Sequence, residues 1–192
     1  GYLRRDDLTR AAFDEEGFYR IGDAMKFADA SNPVKGLLFD GRVVEDFKLV
    51  TGTWVHVGAL RMRVIAACDP LIQDVVITGH DRDEVGALLC LNPLTAKRFC
   101  REAPQDAGLA WFAANRDVHT KIAEDLAKLA DETAGGSMHP TRALVMTEPP
   151  SPDAGEITDK GYLNQRAVLE RRAAFVEALY ARPLVPEVIL VR

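Results

Sequence analysis

Lys160 stands between an acidic residue and a glycine in the run Gly155-Glu156-Ile157-Thr158-Asp159-Lys160-Gly161-Tyr162, just ahead of a helix-forming segment. A lysine ammonium is a compact point charge on a flexible stem, so an exposed loop can carry it to a phosphate or a carboxylate. The approach Glu148-Pro149-Pro150-Ser151-Pro152 predicts an extended, exposed lead-in, because proline disfavours helix at its own position and at the one before. Asn164 is placed to cap the helix that follows. A mobile loop that presents a cation beside a helix start is the chemical reading. A solvated loop lysine is the plain alternative, and the loop by itself fits both.

The other reactive side chains are dispersed. Cys68, Cys90 and Cys100 are odd in number and widely spaced, which suits reduced cytosolic thiols better than a disulfide framework and predicts a cytoplasmic protein. His56, His80, His119 and His139 are equally scattered, whereas a zinc site needs clustered ligands, so no metal site is expected in the chain. Acidic residues outnumber basic ones, 29 to 24, and no long basic stripe runs along the chain, which disfavours nucleic acid as a partner. Small polyanions remain open, since one or two basic residues suffice for them. No apolar run approaches the ~20 residues that span a bilayer, and the start of the chain lacks the apolar core of a signal peptide.

The elements that must position these side chains are short and irregularly mixed. Residues 8–13 predict a helical stretch, Phe18-Tyr19-Arg20-Ile21 a strand ending at Gly22-Asp23, and Gly36-Leu37-Leu38-Phe39 a second strand. Two strands and a helical turn cannot bury a core of their own, so this region is expected to belong to a larger domain. Beyond Arg42, Phe47-Lys48-Leu49-Val50 and Trp54-Val55-His56-Val57 flank Thr51-Gly52-Thr53, a hairpin signal. A helix over 59–67, apolar strands over 74–78, 85–91 and 141–147, and a short helix over 96–101 are expected next. A long amphipathic helix over 117–132 places Val118, Ile122, Leu126 and Leu129 on one face and ends at Gly135-Gly136. A last helix over 163–180 and a β-prone tail, Val188-Ile189-Leu190-Val191, complete the chain. The mixture predicts an α+β fold rather than regular βαβ alternation.

Three segments in order carry a family resemblance. Ala12-Phe13-Asp14-Glu15-Glu16-Gly17-Phe18-Tyr19-Arg20-Ile21-Gly22-Asp23, Asp40-Gly41-Arg42 with Phe47-Lys48 and Gly52, and the lysine loop together resemble the C-terminal part of the adenylate-forming enzymes. That superfamily comprises acyl-CoA synthetases, the adenylation domains of peptide synthetases, and luciferases. The wording DGRVVEDFKLVTGTWVHVGALR and GEITDKGYLNQRAVLERR is most similar to the feruloyl-CoA synthetase branch, which activates hydroxycinnamate-like aromatic acids as CoA thioesters. The resemblance implies that residues 1–43 end the large AMP-binding domain. Residues 44–192 would form a mobile C-terminal lid domain, a three-stranded sheet plus hairpin flanked by helices.

It also assigns roles. Asp23 matches the aspartate that takes both ribose hydroxyls of ATP, a task suited to a two-oxygen acceptor; a turn-capping aspartate is its plain alternative. Arg42 matches the arginine that reaches ribose and phosphate, where a planar fork suits paired oxygens; a surface arginine at a strand end is the alternative. Lys160 resembles the lysine that closes over the acid and the nucleotide during adenylation. Lys48, Gly52 and Trp54 would form the hairpin face turned to the pantetheine arm of CoA, although Trp54 fits a core or interface equally well. Val44, Glu45 and Asp46 mark the hinge region.

The expected cosubstrates are therefore ATP with Mg²⁺, coenzyme A and a carboxylic acid, and the expected partner is the chain's own N-terminal domain. A carrier-protein thiol as acceptor, and a non-catalytic module that keeps the fold, are the alternatives. The implied reaction forms an acyl-adenylate, after which the lid rotates and offers its hairpin face to the thiol. Alone, the 192-residue chain is expected to fold from about residue 44 onward without synthetase activity.

The chain departs from the family pattern at three places. Ile21 replaces the common threonine, Val44 stands where an aspartate or lysine hinge is usual, and Asp159-Lys160-Gly161 replaces Gly-Lys. Aligning Gly155 and Thr158 strictly would put Tyr162 at the lysine position, but Lys160 is the only lysine in the loop.

Overall fold

A computed structural model describes residues 1–133 and 135–191. The chain divides into two compact units, Gly1–Val44 and Glu45–Arg192.

The first unit holds helix α1 (Asp6–Ala11), strands β1 (Asp23–Phe27) and β2 (Leu37–Arg42), and a 3-10 turn, Pro33–Lys35, whose first amide is capped by Asn32. β1 and β2 form an antiparallel pair with Asp23 opposite Arg42 and Phe27 opposite Leu37. The strand expected at Phe18-Tyr19-Arg20-Ile21 is reduced to one bridge, Phe13 to Tyr19. The ladder starts later because β2 supplies partners only up to Asp23, beyond a Gly22 at φ +79°. Asp23-Ala24-Met25-Lys26-Phe27 carries no β-branched residue, so propensity gave no signal there. Gly41 is the only buried residue among those described in this unit, while Met25, Phe27, Leu37, Leu38 and Phe39 are all exposed. The unit has strands but no core of its own.

The second unit is built on a four-stranded sheet in the order β5 (Ile72–Thr78), β6 (Gly86–Leu91), β7 (Arg142–Val145), β8 (Val188–Leu190). β6 and β7 are parallel and the other pairs antiparallel, so the long connection through α3 (Pro93–Phe99), α4 (Leu109–Ala113) and α5 (Arg116–Asp131) is a crossover. Every residue of β6 is buried, because both faces of the sheet are covered. Along β6, Ala87, Leu89 and Leu91 join one apolar cluster, which includes α2 (Val57–Ala67) and α5 residues. Leu88 and Cys90 point to the other, with residues of α6 (Gln165–Arg171) and α7 (Ala173–Tyr180). The β-prone tail therefore supplies a fourth strand where three were expected.

α5 follows its predicted period, burying Val118, Ile122, Leu126 and Leu129. It also buries Asp125, which Lys121 and Lys128 neutralise. The helix closes at Asp131, before Gly135-Gly136 is reached. The single helix expected over 163–180 is two helices, split at Arg172, whose φ −106° and ψ +30° leave the helical range. No helix among the described residues is long and apolar enough to cross a membrane.

Candidate functional site

The sheet of the second unit carries a lysine loop that is itself a small hairpin. Ile157 bridges Leu163, Thr158 N donates to Tyr162 O at 2.8 Å, and Gly161 N donates to Thr158 O at 2.8 Å. Gly161 has φ +81°, the left-handed conformation that closes a three-residue hairpin loop. Asp159 and Lys160 are thereby placed at the apex, both exposed, and Lys160 has no hydrogen-bond or ion-pair partner among the described residues. The apex is free, but the base is not.

Glu156, at 2% exposure, opens the hairpin and faces Arg172, sixteen residues on. Arg172 Nε and Nη2 each donate to one carboxylate oxygen at 2.8 Å. The remaining guanidinium hydrogens serve the carbonyls of Glu148 and Pro149, both at 2.8 Å, and Met146 Sδ at the end of β7. Glu156 also accepts from Ser151 N at 2.7 Å, and its own N and O bond Ser151 O and Asn164 N. Arg172 holds the carboxyl below the ordinary glutamate range, and the pair raises the guanidinium in turn.

The exit of the hairpin is tied separately. Asn164 caps α6 as expected, accepting from Ala167 N, and its Nδ2 donates to Gly155 O. Gln165, 3% exposed, turns its amide onto the open edge of β5, accepting from Ile77 N and donating to Ile77 O. A side-chain amide thus satisfies backbone groups that an adjacent strand would otherwise pair. The loop expected to be mobile along its length has a fixed base. Glu156, Arg172 and Gln165 were not singled out by sequence reasoning, because contacts 16 and 88 residues apart have no local signal.

The second hairpin pairs β3 (Phe47–Lys48) with β4 (Trp54–Val55) in the register Lys48 opposite Trp54. Lys48 Nζ lies 4.9 Å from the Trp54 ring centre, a cation–π contact on the outward face. Trp54 is 53% exposed, so it is not a core residue. Phe47 and Val55, pointing inward, are buried. Gly52, at φ +84°, closes the turn through Gly52 N to Leu49 O and has open space on its side-chain side. Val50 N donates to Arg82 O, which fastens this turn to the β5–β6 loop.

Among the hinge candidates, Val44 is exposed and is the last residue of the first unit, and Glu45 begins the second. Asp46 has a defined local task. Its Oδ1 accepts from Val57 N at 2.9 Å and its Oδ2 meets His56 Nδ1 at 3.0 Å, so it caps α2 from across the hairpin. In the first unit, Asp23 and Arg42 are opposite each other on β1 and β2, both exposed and both without a side-chain partner among the described residues. Two groups of opposite charge are thus held opposite each other in one register. Ile21, which replaces the family threonine, is 61% exposed nearby in sequence. The described residues include no group of three or more His, Cys, Asp or Glu that could hold a metal ion.

Residues 47–183 match the family model described as the AMP-binding enzyme C-terminal domain. The carboxylic acid reductase of Segniliparus rugosus is 25% identical over 183 residues, covering 95% of this chain and 14% of the relative. A chloroplastic long-chain-fatty-acid–[acyl-carrier-protein] ligase of Arabidopsis thaliana is 21% identical over 187 residues, covering 94% of the chain and 24% of the relative. The fold of the chain is also similar to that of the matching part of the A domain of the Segniliparus rugosus carboxylic acid reductase, solved with AMP and a co-purified carboxylic acid. There the TM-score is 0.74 at 23% identity, over 95% of this chain and 26% of that one. The matched region runs from the β3–β4 hairpin through both helices that follow the lysine hairpin, and the chain belongs to the family of AMP-binding enzyme C-terminal domains.

Proposed function

We propose that the chain is the C-terminal part of an ATP-dependent acid–CoA ligase, with residues 44–192 as its rotating lid and Lys160 as the cation that serves adenylation. The observation that carries this reading is an unpaired ammonium at the apex of a hairpin whose base is fixed by Arg172 and Gln165. Residues 1–43 would end the large AMP-binding domain, whose surface would cover Met25, Phe27, Leu37 and Phe39.

Asp23 would accept from the two ribose hydroxyls and Arg42 would bind ribose and phosphate oxygens. A substrate carboxylate attacks the α-phosphate, the bond to pyrophosphate breaks, and Lys160 offsets the charge that gathers on the oxygens around the reacting phosphorus. Mg²⁺ would accompany ATP in such a reaction and offset charge on its phosphate oxygens. The lid then turns about the region Val44, Glu45 and Asp46. The acceptor thiol approaches past Lys48, Gly52 and Trp54, attacks the acyl carbon as a thiolate, and AMP leaves. Gly52 leaves room beside the backbone for the pantetheine arm. The wording of the lysine loop and of the hairpin segment favours a hydroxycinnamate-like aromatic acid, and the three free cysteines favour the cytoplasm.

A second reading, transfer to a carrier-protein thiol, has support from the relative named as an [acyl-carrier-protein] ligase. It uses the same hairpin face. A non-catalytic module is disfavoured by the joint presence of Asp23, Arg42 and Lys160.

The test is Lys160→Ala in the full-length protein. Acid-dependent pyrophosphate release should fall by roughly 100- to 1000-fold, as on losing one preorganised group at a developing charge. Thioester formation from a supplied acyl-adenylate should persist. If neither half-reaction changes, the catalytic role of Lys160 is wrong.

A further inference from the structure

We propose that Glu156, clamped by Arg172, is a positioning residue for Lys160. The inference rests on the reading of Lys160 given above. It stands on three features of the hairpin base.

First, Glu156 joins both stems. Its carboxylate accepts from Ser151 N on the entry side, and its carbonyl accepts from Asn164 N on the exit side. Second, Arg172 is saturated. A guanidinium has five N–H groups, and here Nε, Nη1 and Nη2 reach Glu156 Oε1 and Oε2, the carbonyls of Glu148 and Pro149, and Met146 Sδ. One side chain thus holds the end of β7, the Pro-rich lead-in and the hairpin entrance in one arrangement. Third, α6 and α7 break at Arg172, where helical geometry would otherwise be expected to continue. The break coincides with the residue that has to turn inward to meet Glu156. A second cation, Arg171, has its Nε 3.7 Å from Glu156 Oε1, so the carboxylate faces two guanidiniums.

Lys160 lies four positions beyond Glu156, and the turn that carries it is closed by its own backbone bonds. A shift at the base is therefore passed to Lys160. Misplacement of a reacting group by about 1 Å can cost on the order of 100-fold in rate. A lysine at 172 would keep the charge but not the planar fork that serves five acceptors.

The experiment places Glu156→Gln and Arg172→Lys in the full-length protein, each with and without Lys160→Ala. Adenylation, followed as pyrophosphate release, and transfer from supplied acyl-adenylate are measured separately. Glu156→Gln keeps the shape and the acceptor for Ser151 N but removes the charge that fixes the fork. Adenylation kcat should fall roughly 10- to 100-fold, with little change in the KM for ATP or in transfer. In the Lys160→Ala background the same substitution should cost nothing further, since the group it positions is gone. Arg172→Lys should reproduce the pattern, and it stands in if Glu156→Gln fails to fold.

The proposal is overturned if Glu156→Gln lowers both half-reactions alike, or lowers adenylation further when Lys160 is absent, for then the pair serves only the fold. It is also overturned if adenylation survives Glu156→Gln while Lys160→Ala abolishes it, which leaves the role of Lys160 intact. Should Lys160→Ala itself spare adenylation, the underlying reading fails and the positioning proposal with it.

Discussion

The second unit carries two hairpins that present a cation on an exposed face, and they are held down by opposite means. The β3–β4 hairpin rests on apolar burial, with Phe47, Leu49 and Val55 sunk into the larger cluster. The lysine hairpin has only Leu163 buried and Ile157 half-buried, and it depends on a buried ion pair and a buried amide. An apolar base tolerates small shifts in side-chain packing. A bidentate ion pair fixes direction more narrowly, at the cost of desolvating two charges. Under the proposed function, the hairpin that would aim one ammonium has the directional base, and the one that would offer a surface has the apolar base.

Breaking the apolar base should have the larger effect on stability. Phe47→Ala in the 192-residue protein is expected to lower unfolding free energy by about 3–5 kcal/mol. Urea titrations at neutral and acid pH should give similar losses, since no titrating group is removed. A loss seen only at neutral pH would mean that the hairpin is held by charge instead.

The polar base should show a smaller, pH-dependent signature. Glu156 has its carboxyl lowered below the ordinary 4.5, chiefly by the hydrogen bonds from Arg172. A depressed folded-state value means that the stabilisation is fully present above that ordinary value and fades as pH falls toward the folded-state one. Glu156→Gln is therefore expected to lower the melting temperature relative to the native chain at pH 7, with the gap narrowing as pH falls below 4.5. A gap that is constant with pH would show that the charge of Glu156 does not stabilise the base.

The same contrast explains what was legible in the sequence. The β3–β4 hairpin was readable because Thr51-Gly52-Thr53 separates two apolar runs, and turn chemistry is local. α5 was readable because Val118, Ile122, Leu126 and Leu129 repeat at a helical period. The cap at Asn164 was visible for the same reason, whereas the sequence offered an exposed loop at Lys160 and not the hairpin that carries it. What remained hidden is long-range. Nothing in residues 163–180 breaks a helix by composition, yet Arg172 does so in order to reach Glu156. Gln165 finds Ile77 across 88 residues. β8 becomes a strand because β7 leaves an open edge for it, a fact about topology that the short run Val188-Ile189-Leu190 does not state. Asp46 read as part of the hinge region, and its cap on α2 had no sequence signal.

The central claim is that one unit serves two half-reactions from two separately held hairpins. Lys160→Ala and Trp54→Ala in the full-length protein, each assayed for pyrophosphate release and for transfer from supplied acyl-adenylate, test it together. The account predicts opposite patterns: Lys160→Ala loses roughly 100- to 1000-fold in adenylation and keeps transfer, whereas Trp54→Ala keeps adenylation and loses about tenfold in transfer, as on removing an exposed aromatic contact. If both variants lose the same half-reaction, or each loses both in equal measure, the division of labour between the hairpins is contradicted.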